Sequence, residues 1–513
     1  MGSARCGVVI EAVGVSAGGG ATRIGRRRFP RRATRGVGGG TRGALPSGED
    51  GRRSFQHTNS DRTRWRTPHS GYHRLVGCPR PFFEGWYFRI SLPETRENIS
   101  LVYHVYDPDL PNSARRAAGA QVCAPGGKYI FRESPGVDAF EADAHDLALS
   151  MRGFGPDHET VEDDDDDDAY ELPRDGRHDR GATNEPEPPG EREFFDVLRG
   201  GTRHRGRLVR GAEVNDPTVW PPETCAQTVA WDIAVRPVVG YGGDDDGSTQ
   251  LSTAGWLSSL PVFEPHYQIT MAHGLASGWI ETDGARVTFE AAPAYSEKNW
   301  GGAGFPSKWF WVQCNAFPDR PGLSVTATGG NRGVVILPGV REEVAAVLVH
   351  DPGAGAVRGG FYPFVPAAGE GTDAAEVTWD VSPWGSWSVT AKTSTHEVRV
   401  ICSVDSSDAG TVLRAPRDDS NAGMAPLCRE SFKGRATVWM WELDPRTRAR
   451  SRAVLDGVVS EAAAVETGGG PWYAPWKGRA EMREPLGSLA GLQVPVEDVA
   501  RMLRPFVDIV PGL

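Results

Sequence analysis

Two groups of three adjacent aromatic residues lie far apart in the chain and begin similar stretches of sequence. The first, WYF at 86–88, lies in FFEGWYFRISL, and the second, WFW at 309–311, lies in PSKWFWVQCNA. Each is followed by turn residues and by a second strand-like run, ISLVYHVY or LSVTAT. Successive side chains of a strand point to opposite faces, so three aromatics in a row require two faces that exclude water. The repeat predicts two related β-domains in tandem, each a barrel with an apolar lumen or a sandwich with an aromatic core.

The rest of the chain is also typical of an all-β protein. Many short β-like runs are separated by turn residues, and Asp283-Gly284 between GWIET and ARVTFE predicts a hairpin. Residues 293–305 look like a linker that leads into the second aromatic strand. Helix is scarce, and the pattern favours one short amphipathic helix at 496–503. The chain of 513 residues, 39% of them hydrophobic and 16 of them Trp, is long enough for two or three domains.

Charge and complexity suggest how the chain is divided. Residues 1–46 carry nine Arg and one Glu and no apolar secretion core, which favours a transit peptide over a disordered basic tail. Residues 155–192 form a low-complexity acidic insertion that contains six consecutive Asp, and a solvated loop is favoured there over a calcium site. We therefore expect a disordered region at 1–64, a first barrel domain at 65–292 with the insertion, and a second at 293–513, with the boundary between 291 and 306.

Deleting residues 157–192 should leave the fold intact, because a segment with almost no apolar side chains cannot offset the entropy of ordering. We expect a chain that joins Pro156 to Glu193 to keep its thermal midpoint and its activity. Thermal unfolding followed by circular dichroism measures the first. Failure to obtain soluble protein would contradict the prediction.

Several classes of protein are disfavoured by what the sequence lacks. Seven Cys are scattered without a CxxC pair or a Cys/His spacing suited to zinc, which favours reduced thiols and predicts no metal. No apolar run reaches the length of a membrane span, and no basic surface interleaved with aromatics indicates nucleic acid. The pattern favours a protein that is soluble or peripheral to a membrane.

Four parts of the sequence together resemble the tocopherol cyclase family of plants and cyanobacteria, which is similar to tandem lipocalin-like carotenoid hydratases. They are TPHSGYHRL with RPFFEGWYFRISLPE, then AGWLSSLPVFEPHYQITMAHGLASGWIE, then AYSEKNWGGAGFPSKWFWVQCNAF, and finally ETGGGPW. The resemblance covers about residues 65–510 apart from the acidic insertion. It implies two tandem lipocalin-like β-barrels and closure of the chromanol ring of vitamin E from a phytyl-benzoquinol in plastids. It also implies peripheral association with plastid lipid globules (plastoglobules) or thylakoids.

That reaction adds a phenolic O–H across a trisubstituted alkene, so the site needs a positioned acid, a partner for the phenol and aromatic faces that tolerate positive charge. No redox change occurs, so no cofactor is expected. We consider Glu264, between apolar neighbours and beside His266, the leading acid, since a carboxyl in an apolar site keeps its proton. His266 is then the group that reloads it, and Glu297 and Glu84 are the alternatives.

A second set of residues is expected to bind the substrate. These are the aromatics of the two triplets and polar residues near them: Trp86, Tyr87, Trp309, Trp311, His69, Tyr103 and Asn299. Each of the aromatics is equally well explained by core packing. Buried histidines are more often structural than catalytic.

Two other functions are compatible with the same groove. A non-catalytic lipocalin-like carrier of prenyl quinones would bind the substrate without converting it. A hydratase would add water to an isoprenoid alkene. Incubation with a phytyl-benzoquinol distinguishes them, because the cyclase alone yields a chromanol.

Overall fold

The computed structural model describes residues 68–74, 80–154, 192–198, 200–211, 216–242, 251–253, 263–302, 304–334, 341–353, 360–366, 374–382, 384–417, 423–469 and 474–480. The predicted N-terminal region, nearly all of the acidic insertion and the predicted helix at 496–503 lie outside these residues. Within them, helix is limited to three short 3-10 turns, Pro125–Gly127, Val137–Ala139 and Pro222–Thr224.

Eleven strands form the first antiparallel sheet. They are β1 (Phe83–Leu92), β2 (Glu97–Tyr106), β3 (Ala117–Ala124), β4 (Lys128–Ser134), β5 (Phe140–Ala142), β6 (Leu149–Arg152), β7 (Phe194–Leu198), β8 (Arg203–Val209), β9 (Thr228–Val239), β11 (His266–Thr282) and β12 (Ala285–Gly301). Their order across the sheet is β4-β3-β2-β1-β12-β11-β9-β8-β7-β6-β5.

Twelve strands form the second sheet. They are β10 (Phe263–Glu264), β13 (Lys308–Cys314), β14 (Ser324–Val334), β15 (Arg341–His350), β16 (Phe361–Phe364), β17 (Glu376–Val381), β18 (Ser386–Lys392), β19 (His396–Ser403), β20 (Thr411–Pro416), β21 (Met424–Leu443), β22 (Arg450–Gly469) and β23 (Trp476–Arg479). The order is β16-β15-β14-β13-β22-β21-β19-β18-β17-β23, while β10 pairs with β14 and β20 with β21.

The two sheets repeat one topology around the aromatic triplets. In each, the strand that carries the triplet, β1 or β13, lies between the next strand of the chain and the last strand of a long hairpin. Every strand of the first sheet contributes to one apolar cluster, and a second cluster draws on nearly all strands of the other. A sheet whose strands all share one core must curl around it. The prediction of an all-β fold of two tandem lipocalin-like barrels is therefore confirmed.

Local turn chemistry explains the long hairpin of the first sheet. Asp283 and Gly284 both have positive φ, 50° and 83°, and join Thr282 directly to Ala285 across the β11–β12 pair. A two-residue turn with both φ values positive matches the twist of the flanking strands. The predicted hairpin is thus present.

The linker predicted at 293–305 is wrong for most of its length. Residues up to Gly301 continue β12, which pairs with β1 from Ile90↔Ala294 to Phe83↔Gly301. The segment looked like a loop because it mixes charged and polar residues without an apolar face. Both of its faces are nonetheless buried, one against the first core and the other against the second sheet. The chain changes sheets between Gly301 and Lys308, and the domain division itself stays a prediction.

A buried arginine joins the two sheets. Arg89 of β1 is 1% exposed and donates from Nη1 to Gln313 Oε1 (2.5 Å), from Nη2 to the carbonyl of Ala462 (2.6 Å) and from Nε to Asn98 Oδ1 (3.0 Å). Gln313 and Ala462 belong to the second sheet. Sequence analysis did not single out this residue, because its partners in the second sheet are more than 200 positions away.

Replacing Arg89 by Met should destabilise the protein by about 2–4 kcal/mol, since several buried acceptors lose a charged donor. Urea unfolding measures the change. Arg435→Met is the matched control, because its ion pair with Glu461 is about half exposed and should contribute less than about 1 kcal/mol. Equal effects of the two substitutions would contradict the assignment of Arg89 as a link between the sheets.

Candidate active site

A cavity lies between the outer faces of the two sheets. Its space, counted with the open mouth, is about 670 Å³. One wall is built from β1, β2, β3 and β12 of the first sheet, and the other from β20, β21 and β22 with Trp311 of β13. A concave, mainly apolar space with a few convergent polar groups is the usual form of a small-molecule site.

Because successive residues of a strand point to opposite faces, the members of each aromatic triplet lie on both sides of their sheet. Trp86 packs into the core of the first sheet, whereas Tyr87 points outward to the second sheet. In the other triplet Phe310 lies in the second core, and Trp309 and Trp311 point outward to the first sheet. Tyr87 meets the ring of Trp311 edge-on, with centroids 5.5 Å apart at 77°. The triplets thus serve both sheet cores and the surface between the sheets.

Glu297 is a carboxyl of the cavity wall that is held by three hydrogen bonds. Its Oε2 accepts hydrogen bonds from the hydroxyls of Tyr295 (2.6 Å) and Tyr267 (2.7 Å) and from Nε1 of Trp311 (2.9 Å). Burial raises the pKa of Glu297 to about 7; these hydrogen bonds oppose that rise and nearby Glu466 adds to it. A carboxyl whose pKa is raised this far keeps a protonated population at neutral pH and is able to act as a general acid.

Two further carboxyls face Glu297 from the second sheet. Glu430 and Glu466 are directly opposite each other on β21 and β22. Glu430 accepts from the hydroxyl of Tyr87 (3.0 Å), and Glu466, which lines the cavity, accepts from Nε1 of Trp309 (2.6 Å). Burial raises the pKa of both, and the charge of Glu466 raises the pKa of Glu430 further. Sequence analysis missed both, although Glu466 begins the ETGGGPW segment.

Glu84 belongs to a second ionic cluster, at the end of the first core. It contacts the ammonium of Lys298, and both side chains are fully buried. The imidazole and backbone N–H of His73 also reach Glu84, at 3.2 and 2.9 Å. Burial raises the pKa of Glu84 and lowers that of Lys298, and the charge of each opposes the shift of the other. Lys298 also donates to the carbonyl of Gly71 (2.7 Å), so the cluster fastens the segment 68–74 to the barrel.

Glu264 and His266 do not line the cavity. Glu264 Oε2 accepts the N–H of Gly302 (2.8 Å), where the chain leaves β12. His266 stacks on Trp300, with centroids 5.0 Å apart at 16°, and burial lowers its pKa to about 3. An imidazole with that pKa is uncharged at neutral pH and lacks the second proton that an imidazolium would give to an acid.

The predicted substrate-binding residues divide into two groups. Tyr87, Trp311 and Asn299 line the cavity, as do the predicted acids Glu84 and Glu297. The others lie elsewhere: Trp86 and Tyr103 in the first core, Trp309 between the sheets behind Glu466, and His69 beside His73. The hydroxyl of Tyr103 is 3.3 Å from Nδ1 of His204 inside that core.

The described residues contain no group of three His, Cys, Asp or Glu side chains able to hold a metal ion. The five cysteines described are buried, and no disulfide joins any two of them. No helix in the described ranges is long and apolar enough to cross a membrane.

Two curled antiparallel sheets that enclose buried carboxyls among aromatic rings define an all-β protein with a small-molecule site. Residues 80–469 match the model of the tocopherol cyclase-like family. The chain is 37% identical over 473 residues to the chloroplastic tocopherol cyclase of Zea mays, covering 90% of this chain and 89% of that one. It is also 37% identical over 466 residues to a probable chloroplastic tocopherol cyclase of Oryza sativa subsp. japonica, covering 87% of each. The chain therefore belongs to the tocopherol cyclase-like family.

Solved structures that align with the chain are much more distant. Kievitone hydratase from Nectria haematococca aligns with 10% identity and a TM-score of 0.34, covering 80% of this chain and 99% of that one. A putative AttH from Nitrosomonas europaea aligns with 12% identity and a TM-score of 0.34, covering 77% and 93%.

Proposed function

We propose that the chain is a tocopherol cyclase, an isomerase that closes the chromanol ring of a phytyl-benzoquinol in the cavity between the two sheets. The chain aligns with most of the length of a maize tocopherol cyclase and of a probable tocopherol cyclase from rice. The observation that supports the chemistry is Glu297, a buried carboxyl at the cavity wall whose pKa of about 7 keeps part of it protonated. The reaction begins with a proton transfer from such a group.

The proposed acid is Glu297 and no longer Glu264. Its proton goes to the CH carbon of the prenyl alkene, and positive charge develops on the tertiary carbon. The rings of Tyr87 and Trp311 lie beside the acid and offer negative faces to that charge. The phenol oxygen then attacks the tertiary carbon and loses its proton.

The remaining cavity wall is suited to the hydrocarbon tail. Much of it is formed by apolar residues, namely Phe83, Val102, Phe305, Leu413, Ala415, Pro416 and Met424, beside the polar His104, Gln121 and Arg414. Each CH₂ group that leaves water contributes about 0.8 kcal/mol, so the tail supplies much of the binding free energy. An apolar wall also excludes the water that would trap the cation as an alcohol.

The place of action follows from the same proposal. Both relatives are named chloroplastic, which supports a plastid location. We propose that the protein takes its lipophilic substrate from the surface of lipid globules or thylakoids. Flotation of the purified protein with liposomes of plastid galactolipids tests this, and protein that stays at the bottom of the gradient would contradict it.

The activity itself is tested by incubating the purified chain with a dimethyl-phytyl-benzoquinol in D₂O without oxygen. We expect a chromanol that carries one deuterium on the ring methylene beside the quaternary carbon, because the acid exchanges with solvent. Recovery of unchanged quinol would indicate a carrier. A tertiary alcohol labelled from H₂¹⁸O would indicate a hydratase.

A further inference from the structure

The ring closure needs a base as well as an acid. Glu297 gives one proton to the alkene, and the phenol oxygen gives up another when its bond to carbon forms. No proton is gained or lost overall, so a second group must take the phenol proton. That group must touch the cavity and be ionised while Glu297 is protonated.

Glu466 meets the first requirement. It lines the cavity on the second sheet and is paired across β22 and β13 with Trp311, the residue whose indole donates to Glu297. Glu466 and Glu297 therefore lie on facing walls near one aromatic ring. A substrate held against that ring has a carboxyl on each side.

The surroundings of the two carboxyls favour ionisation of Glu466 over ionisation of Glu430. Its Oε1 accepts a short bond of 2.6 Å from Nε1 of Trp309, and a donor of this kind stabilises a carboxylate. Glu430 is fully buried, and its Oε2 has no hydrogen-bond partner among the described residues. A buried oxygen without a donor disfavours negative charge. Two adjacent buried carboxyls share one proton, and Glu430 is the one that retains it.

Tyr87 connects this pair to the acid. It is the cross-strand neighbour of Glu297 on β1 and β12, and its hydroxyl donates across the junction to Glu430 Oε1. Burial raises the pKa of Tyr87 well above its usual value, so it keeps its proton and remains a donor. The hydroxyl of Tyr87 thus holds Glu430, and its ring meets Trp311, whose indole donates to Glu297.

We propose that Glu466 is the catalytic base that takes the phenol proton, and that Glu430 is a positioning residue that holds the proton of the pair and accepts the hydrogen bond of Tyr87 at the cavity wall. The assignment rests on the proposed cyclase function. The O–H bond of the phenol breaks, its electron pair forms the C–O bond, and the proton goes to Glu466. After product release Glu466 gives the proton to solvent, and Glu297 takes one up from solvent.

Glu466→Gln tests the base, because the amide still accepts from Trp309 but takes up no proton. We expect kcat to fall by about 10²–10⁴, the usual contribution of acid–base catalysis, with KM little changed. A ring-fluorinated phytyl-benzoquinol has a more acidic phenol and depends less on a base. The deficit of Glu466→Gln relative to wild type should therefore shrink with the fluorinated quinol, whereas that of Glu297→Gln should not.

Glu461→Gln is the matched control on the same strand, since Glu461 is about half exposed and pairs with Arg435. For the positioning residue, Glu430→Leu should lower kcat about tenfold, because the Tyr87 hydroxyl loses its acceptor. Glu430→Gln should restore most of that loss, since it is neutral and accepts the same hydrogen bond. If Glu466→Gln does not fold, Glu466→Asp gives the same comparison, with a smaller deficit that again shrinks with the fluorinated quinol.

Several results would overturn the assignment. A Glu466→Gln protein with wild-type kcat, or one whose deficit is equal for both quinols, would exclude Glu466 as the base. His104 also lines the cavity. If His104→Gln is the one variant whose loss of kcat is smaller with the fluorinated quinol, the base is His104 and not Glu466. If the wild-type protein cyclises neither quinol, the proposed function itself is wrong. If the wild-type protein and Glu466→Gln are equally active, only the assignment of the base is wrong.

Discussion

Substituting Glu297 by Gln should lower kcat for ring closure by about 10²–10⁴, because the amide keeps the shape of the side chain but has no acidic proton. The hydroxyls of Tyr267 and Tyr295 and the indole of Trp311 still find an acceptor in the amide oxygen. The fold and the apolar wall are unchanged, so KM should move little. Steady-state formation of chromanol under nitrogen measures both constants.

The pH dependence of the wild-type enzyme provides an independent check. The acid must be protonated to act, and the pKa of Glu297 is raised to about 7. Above that pH the carboxyl loses its proton, so kcat should fall as the pH rises. The alkaline limb of the profile should be absent from the residual activity of Glu297→Gln.

Two other variants make the test specific. Glu281→Gln, on the exposed hairpin of the same sheet, is the matched control and should keep wild-type kcat. Glu264→Gln tests the acid that the sequence first favoured. If kcat falls strongly in Glu264→Gln and stays at the wild-type value in Glu297→Gln, the acid is Glu264 and not Glu297.

Lys298→Met should produce the largest loss of stability, about 3–5 kcal/mol, because it leaves the buried carboxylate of Glu84 without its cation. Both side chains are fully buried, so water does not replace the lost partner. The substitution also removes the bond to the carbonyl of Gly71. Urea unfolding at pH 7 measures the midpoint and slope.

The loss should depend on pH in a definite direction. Without Lys298 the pKa of Glu84 rises further above its ordinary value of 4.5, because burial is no longer opposed. A carboxyl whose folded pKa is raised favours the folded state below its unfolded pKa, and this contribution is lost as the pH rises. The deficit of Lys298→Met should therefore be largest at neutral pH and smaller near pH 4.5.

Neutralising both partners separates the ion pair from general damage to the core. Glu84→Gln with Lys298→Met removes the uncompensated charge and should recover part of the lost stability. Lys477→Met is the control, since its pair with Asp380 is mostly exposed and should be worth less than about 1 kcal/mol. A double variant no more stable than Lys298→Met would show that the charge of Glu84 is not the cause.

The sequence alone was sufficient for the features that depend on local pattern. Alternation and turn residues predicted strands and the hairpin at Asp283-Gly284, and the repeated aromatic triplets predicted two sheets of one topology. The resemblance carried by the long Trp-rich segments identified the family. These features follow from side-chain direction along one strand and from residues close in the chain, which a sequence displays directly.

Only the tertiary structure shows which faces of the two sheets meet, and therefore where the site lies. Alternation shows that Trp86 and Tyr87 point apart, but not that Tyr87 faces a second sheet across a cavity. Nor does the sequence show that β12 continues to Gly301, because its polar residues are buried by a sheet that forms later in the chain. Glu430 and Glu466 reach Tyr87 and Trp309 only when the two sheets pack together. The protonation of a buried carboxyl depends on the groups packed around it, so the choice between Glu264 and Glu297 required the contacts between sheets and could not be made from neighbours in the chain.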